Sequence, residues 1–394
     1  MTDDLYHLPT PCALVDLGKV ERNCRAMVGT AERLGVKLRP HVKTHKCVEA
    51  ARLQLDGAPG TGGIAVSTLA EARHFAETGF RDITYAVPIA PERIPEAVAI
   101  GRGIDRLSLL LDGEVAARAA EEAGTTAGVR VPVFLKVDCG YGRAGVDPAR
   151  PEATALARLL ARSPHIDFRG LLTHGGHSYG SRSAEERRQA AGEEARVPTD
   201  FARSLRDQGL EVPEVSVGST PTCTAHEKLA GTSTKLAGTL RGWEGVTEIR
   251  PGNYVFFDVY QAMIGSCRIE DVAFSVLVTV ISHHPNRNRL LINAGSLALS
   301  LDPGPRQVDP HCGFGVVADL EGRPLVGLRL SGLSQEHGWV EAASGDGREL
   351  EPFPVGTRLR VLPNHSCLTA ALYDRYHVLR AGRMVEEWHP VRGW

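Results

Sequence analysis

Lys43 lies in Pro40-His41-Val42-Lys43-Thr44-His45-Lys46, a run dense in basic and imidazole side chains at the end of an alternating stretch. Side chains alternate across an extended segment, so Leu38, Pro40 and Val42 fall on one side and Arg39, His41 and Lys43 on the other. With residues 38–42 as the first strand of a parallel barrel, Lys43 stands at its C-terminal end, the rim where such barrels do their chemistry. An amine held there can carry a carbonyl cofactor as a Schiff base. A lone lysine at a strand end is otherwise a solvated charge, so the assignment needs partners elsewhere in the chain.

Three glycine-containing turns supply them. Asp138-Cys139-Gly140-Tyr141-Gly142-Arg143 brings backbone and one guanidinium close to a ligand. Gly218-Ser219-Thr220-Pro221-Thr222 is small and hydroxyl-rich, suited to giving N–H and O–H bonds to a phosphate. Arg250-Pro251-Gly252-Asn253-Tyr254 follows the last strand of the pattern, and loops after strands 7 and 8 are common phosphate sites in barrels. His174, in Leu172-Thr173-His174-Gly175-Gly176-His177-Ser178-Tyr179, ends another strand, where an imidazole can stack on a flat ring. A hydrogen-bonded structural histidine is the competing reading for His174 and the favoured one for His177.

Farther along, Pro363-Asn364-His365-Ser366-Cys367 follows a strand. Extended geometry at i and i+2 puts His365 and Cys367 on one side, where imidazole nitrogen and thiolate sulfur can share a cation. Sulfur favours Zn²⁺ over Mg²⁺, and two protein ligands leave positions for water and substrate.

The elements that must position these groups fall into two textures. Apolar strand candidates occur at 38–42, 63–66, 83–87, 107–111, 131–137, 168–173, 215–217 and 246–249, with amphipathic stretches such as 69–78, 114–123 and 153–161 between most of them. Eight strands with intervening helices predict a (β/α)8 barrel, and no GxGxxG after a first strand supports an open doubly wound sheet. Residues 20–34 read as a helix ended by Gly35, and 181–196 as a charged helical insertion in the barrel. After about residue 260 the pattern turns to alternating or β-branched runs at 273–281, 289–299, 315–318, 325–330, 358–362 and 377–379. That predicts an all-β second domain. The expected division is 1–14 as an N-terminal segment, with a short extended stretch from Leu8, that leads into the barrel or pairs with the β-domain, then 15–258 as the barrel and 259–394 as the β-domain.

The 394 residues carry a net charge of −2 with dispersed basic side chains, which excludes nucleic acid and anionic membrane as partners. No window approaches 18 uninterrupted apolar residues, and the acidic N-terminus lacks an apolar core, so a cytoplasmic protein is expected. The eight cysteines form no CxxC pair, which argues against a disulfide framework or a structural zinc site.

Taken together, the 40–46, 174–179, 218–222, 250–254 and 363–367 motifs resemble those of the fold-type III pyridoxal phosphate enzymes. The subgroup resembled is that of the D-serine and D-threo-3-hydroxyaspartate dehydratases, with the D-threonine aldolases beside it. The resemblance runs over essentially the whole chain and implies an alanine-racemase-like barrel with a β-domain, working as a homodimer. It implies that Lys43 is the Schiff-base lysine and that Arg143 reaches the phenolic oxygen of the cofactor. His174 is implied at the pyridine face, Tyr179 near the ring, and Ser219, Thr220, Gly252, Asn253 and the adjacent Tyr254 around the phosphate. His365 and Cys367 match the metal pair of the dehydratases, with Zn²⁺ ahead of Mn²⁺ or Mg²⁺. The implied catalytic residues are Lys43, Tyr179 and His174, and the implied reaction turns a β-hydroxy D-amino acid into a 2-oxo acid and ammonia. Retro-aldol cleavage, racemisation and non-catalytic cofactor binding are the alternatives; Cys367, where the aldolases tend to have Asp, favours dehydration. Asn293 and Gln335 stand where Asp and Glu are expected, a departure that bears on the substrate.

Overall fold

The computed structural model describes residues 3–60, 62–225 and 243–394. Two compact units are present, one made of residues 1–24 and 253–390, the other of 25–252 and 391–394. Strand β1 (Cys12–Asp16) belongs to the first, and the helix Leu17–Leu34 carries the chain into the second.

The second unit is a parallel eight-stranded barrel. Its strands are β2 (Lys37–Leu38), β3 (Ile64–Val66), β4 (Asp82–Pro88), β5 (Arg106–Leu111), β6 (Val131–Lys136), β7 (Ile166–Leu172), β8 (Glu214–Val217) and β9 (Glu248–Ile249), ordered β2-β9-β8-β7-β6-β5-β4-β3. A parallel bridge between His41 and Ala65, with the Ala65 N–H on Pro40 O at 2.9 Å, joins the two ends. All eight strand candidates are present, and their Val, Ile and Leu side chains, apart from the exposed Val87 near the end of β4, are buried as parallel strands require. The helices between them are capped from the sequence: Thr68 accepts the Glu71 N–H, Ser183 accepts the Glu186 N–H, and Gly128 ends its helix in the left-handed region.

Inside the barrel, charge replaces hydrocarbon at the N-terminal strand ends. Arg39 bonds Glu248 at 2.7 Å and Asp82 at 2.9 Å; Arg106 reaches Asp82 at 2.8 Å and Glu214 at 2.7 Å. The network ties β9, β4, β5 and β8 around one guanidinium that is 2 % exposed. Its opposite charges pair with one another, as buried ions require, although Oε2 of Glu214 is left without a hydrogen-bond partner among the described residues.

The first unit holds a nine-stranded sheet. Beyond β1 it contains β10 (Phe274–His284), β11 (Arg289–Ile292), β12 (Gly315–Ala318), β13 (Leu328–Leu333), β14 (Gly338–Ala342), β15 (Arg358–Pro363), β16 (Tyr376–Arg380) and β17 (Arg383–Trp388). Pairing follows β13-β14-β11-β10-β1-β16-β17, with β15 also on β10 and β12 on β15; only β1 with β16 is parallel. Phe256 and Phe274 stack within its core, and Tyr376 meets both rings edge-on.

Several expectations need correction. The first barrel strand is two residues long rather than 38–42, because the chain turns into a 3-10 helix at Val42–Thr44. Residues 181–196 are no insertion: they belong to the helix Ala184–Asp207 that connects β7 to β8. The 289–299 run splits into β11 and a helix, Ser296–Leu299, where Gly295 packs against the carbonyls of Ser334 and Gln335 with no room for a Cβ. The 325–330 run pairs three residues later, as β13. Strands β14 and β17 escaped the periodicity reading, the latter because a charged, exposed edge strand shows little alternation.

Candidate active site

In the barrel unit, Lys43 sits in the 3-10 turn Val42–Thr44, not on a strand. His41 caps the turn, its Nδ1 accepting the Lys43 N–H at 3.4 Å. The turn is pinned by the turn after the neighbouring strand β9: the His41 N–H reaches Pro251 O at 2.9 Å, and a Cβ on Gly252 would lie 2.7 Å from His41 O. The 250–252 turn therefore has to carry glycine where it passes Lys43. The same holds for Gly218, with φ +125° and a would-be Cβ 2.7 Å from the Arg250 nitrogen. Three strand-end turns, after β2, β8 and β9, are thus locked edge to edge.

His174 joins this group through Nδ1, 3.2 Å from Gly218 O. Burial, then the positive charges of Lys43 and Lys136, hold His174 well below the usual histidine range. His41 is held down in the same way by burial, Lys43 and Arg250. Both rings are therefore neutral at neutral pH. His174 donates its proton to Gly218 O and keeps an Nε2 lone pair.

Ser219 Oγ lies 3.1 Å from Ser178 Oγ and 3.0 Å from Thr222 Oγ1, and the short helix Thr220–Thr224 starts there with every residue buried. Glu194, fully buried on the long helix, accepts the Gly175 N–H and the Thr222 hydroxyl, so one carboxylate fastens the His174 loop to the Ser219 turn. Tyr179 is partly covered in the 3-10 turn Gly176–Gly180. Arg143 is exposed on its loop, 5.1 Å above the Tyr141 ring, which meets His174 edge-on at 6.4 Å between centroids.

Three groups here were missed by the sequence reading. Arg250 is buried with Nε on Ser216 Oγ at 2.7 Å and a bond to Thr173 O; burial brings it down to about 10. Lys136, buried at the end of β6, is brought down to about 8 by burial and by Arg250. The third is Glu194. A charged residue closing an apolar strand was the available signal for Lys136; for Glu194 it was the small neighbours Ala190, Ala191 and Ala195 on the same helix face.

In the other unit, His365 caps the short helix Ser366–Ala370 and Cys367 lies in its first turn. The i, i+2 relation thus arises at a helix start, not by strand alternation, yet the imidazole and thiol are hydrogen-bonded to each other. His365 Nδ1 is 3.0 Å from Asp302 Oδ2. Burial draws the His365 imidazole toward its neutral form, but Asp302, Cys367 and Asp258 outweigh it and hold the ring well above the usual histidine range. Asn253 gives its amide to Asp258 at 2.7 Å, Ser366 at 3.0 Å and Cys367 Sγ at 3.6 Å, so its side chain serves this loop. Tyr254 is fully buried. Asn293 holds the Thr279 N–H at 2.8 Å and Thr10 at 2.9 Å, whereas Gln335 is exposed and touches Glu336.

Among the described residues no three His, Cys, Asp or Glu side chains are grouped to hold a metal. The two-donor set nonetheless suits an open site: a carboxylate on Nδ1 fixes the ring so that Nε2 can ligate, beside a thiol. The barrel turns likewise suit a phosphorylated aldehyde, with an amine, a neutral imidazole and two glycine-walled turns bearing hydroxyls.

Residues 15–258 match the alanine racemase N-terminal domain family, and residues 273–379 match the putative serine dehydratase domain. The chain is 37 % identical to the D-serine dehydratase of Dictyostelium discoideum over 410 residues, covering 100 % of this chain and 99 % of that one. The chain belongs to the D-serine dehydratase family. Members of this family are lyases built on the alanine racemase barrel. Identity is 40 % to the D-threo-3-hydroxyaspartate dehydratase of Delftia sp. (strain HT23), over all of both chains. The solved structure of that dehydratase superposes with a TM-score of 0.90, covering 99 % of each chain. Its histidine-to-alanine and cysteine-to-alanine variants, the latter described as metal-free, have also been solved. Among the described residues of this family member, no helix is long and apolar enough to cross a membrane.

Proposed function

We propose that this D-serine dehydratase family member is a pyridoxal-phosphate- and divalent-metal-dependent dehydratase that converts D-serine or D-threo-3-hydroxyaspartate to a 2-oxo acid and ammonia. The observation that carries the reading is the imidazole–thiol pair of His365 and Cys367 with Asp302 on the imidazole. The variants solved for the Delftia dehydratase change a histidine and a cysteine two positions apart, the spacing of this pair.

In this reading the barrel, residues 15–258, holds the cofactor and residues 259–394 hold the metal. Lys43 would hold the cofactor through its amine, and Ser219, Thr220, Gly252, Asn253 and Tyr254 would hold its phosphate. His174 and Tyr179 flank the ring, and Arg143 serves its phenolic oxygen. Bound pyridoxal phosphate supplies the electron sink that acidifies the substrate's α-C–H. A divalent ion, Zn²⁺ by its sulfur ligand, supplies Lewis acidity at the β-oxygen, since hydroxide leaves poorly unaided. As a free amine, Lys43 Nζ would accept the substrate's α-proton. Neutral His41 and His174 suit that role, because neither adds a positive charge beside an amine that must accept a proton. The family resemblance supports a homodimer working in the cytoplasm.

The test is to incubate the purified protein with pyridoxal phosphate, Zn²⁺ and each substrate, assaying 2-oxo acid, ammonia and glycine separately. Oxo acid with ammonia supports dehydration. Glycine with an aldehyde moves the chain to the aldolase reaction, and absence of both products overturns the substrate assignment.

A further inference from the structure

A cavity of about 710 Å³ opens at the N-terminal ends of the barrel strands, the end opposite Lys43. Its wall carries Lys37, Arg52, Arg81, Arg106 and Arg169 against two acids, Asp82 and Asp105. Both acids are engaged. Asp82 gives each oxygen to both Arg39 and Arg106, at 2.8–3.0 Å, and Asp105 holds Arg81 at 2.8 Å. Arg169 and Arg106 share one oxygen of Glu214.

That leaves Lys37, at the first position of β2, and Arg52, near the end of the helix Val48–Leu55. Among the described residues no ion pair or hydrogen bond joins a carboxylate to either. Two uncompensated cations therefore face a concavity of ligand-binding size, floored by guanidinium groups and bounded by Leu55 and Phe80. Lining cations in a concave, low-dielectric wall focus their field on whatever enters.

We propose that this cavity is a second ligand site that binds a phosphate-bearing small molecule, with Lys37 and Arg52 as its anion-holding residues. An ammonium and a guanidinium fork suit a phosphate dianion, and the remaining volume accommodates more than the phosphate alone. Catalytic groups are not involved, so the site acts by occupancy of the barrel's opposite end.

The test is calorimetric titration of the holoenzyme, its cofactor already in place, with inorganic pyrophosphate and with AMP. Saturable binding is expected, weakened by at least about tenfold in the double variant Lys37→Glu/Arg52→Glu and strengthened several-fold in Asp105→Asn, which removes the competing acid. Tighter AMP marks an organic phosphate that uses Leu55 and Phe80; tighter pyrophosphate marks an inorganic one. Both exchanged side chains are exposed or at a strand start, so turnover should stay at the wild-type level. Absence of saturable binding, or binding that the double charge reversal leaves unaltered, overturns the site.

Discussion

Oδ2 of Asp302 lies 3.0 Å from Nδ1 of His365, on the side of the imidazole away from Nε2, the nitrogen proposed to ligate the metal. This carboxylate fixes the ring's tautomer and raises its basicity, as carboxylates behind metal-bound histidines do. Asp302→Asn should therefore weaken divalent-metal affinity about 10–100-fold, read by competition with a chromogenic chelator, while cofactor absorbance is retained. Unchanged metal affinity would show that Asp302 merely packs the loop.

Cys367→Ala should lower turnover while the protein still binds pyridoxal phosphate, and added Zn²⁺ should not restore it. Chelation of the wild-type enzyme should give the same state, reversible by metal. Retained metal-stimulated turnover in Cys367→Ala would sink the assignment of the thiol as a ligand. Lys43→Ala should instead remove both the visible absorbance of the bound cofactor and the activity. The two variants thus separate cofactor attachment from metal activation.

His45 predicts acid lability. It is fully buried, with Nε2 2.9 Å from Gln54 Oε1 and Nδ1 accepting the Cys47 N–H at 3.0 Å, a pattern that only the neutral ring satisfies. Burial brings its pKa from 6.5 to about 4. The folded value is below the unfolded one, so the unfolded chain takes up the proton first. The stabilisation is complete above about pH 6.5 and is lost as pH falls toward 4, up to about 3 kcal/mol for this residue. His41 and His174 act in the same direction. Thermal midpoints measured from pH 7.5 down to pH 5 should fall, and less steeply in His45→Asn, whose side-chain oxygen can still accept the Cys47 N–H. An equal slope in the variant would move the acid sensitivity to other groups.

How far the sequence reveals this molecule depends on the range of the interaction involved. The barrel strands were legible because short apolar runs separated by amphipathic stretches reflect local burial, repeated eight times. The turns that carry Lys43, His174, Ser219 and Gly252 could be singled out because glycine or imidazole at a strand end is a local signal, and the structure places these turns together. Arg39 was visible only as one face of an alternating run; its partner Glu248 is 209 residues away, and no local pattern announces that pairing. Glu194 looked like one more acid on a charged helix, although its neighbours Ala190, Ala191 and Ala195 mark the buried face on which it lies. The His365–Cys367 spacing led to the right proximity through the wrong geometry, since a helix start can also bring i and i+2 side chains together.

Gly218 and Gly142 offer a paired test of how tightly the rim turns are locked. Both have positive φ, +125° and +71°, so alanine at either strains the backbone. They differ in what a methyl group meets: nothing within 4 Å at Gly142, but the Arg250 backbone nitrogen at 2.7 Å at Gly218. Gly142→Ala should cost only the conformational penalty, about 1–2 kcal/mol, and leave the cofactor's affinity close to wild type. Gly218→Ala must also separate the β8 turn from the β9 turn at Arg250, and so displace Gly218's own carbonyl, which His174 Nδ1 engages. It should lower the thermal midpoint further and weaken pyridoxal phosphate binding in a fluorescence titration. Equal effects of the two substitutions would mean that the turns after β8 and β9 can separate without disturbing the histidine between them.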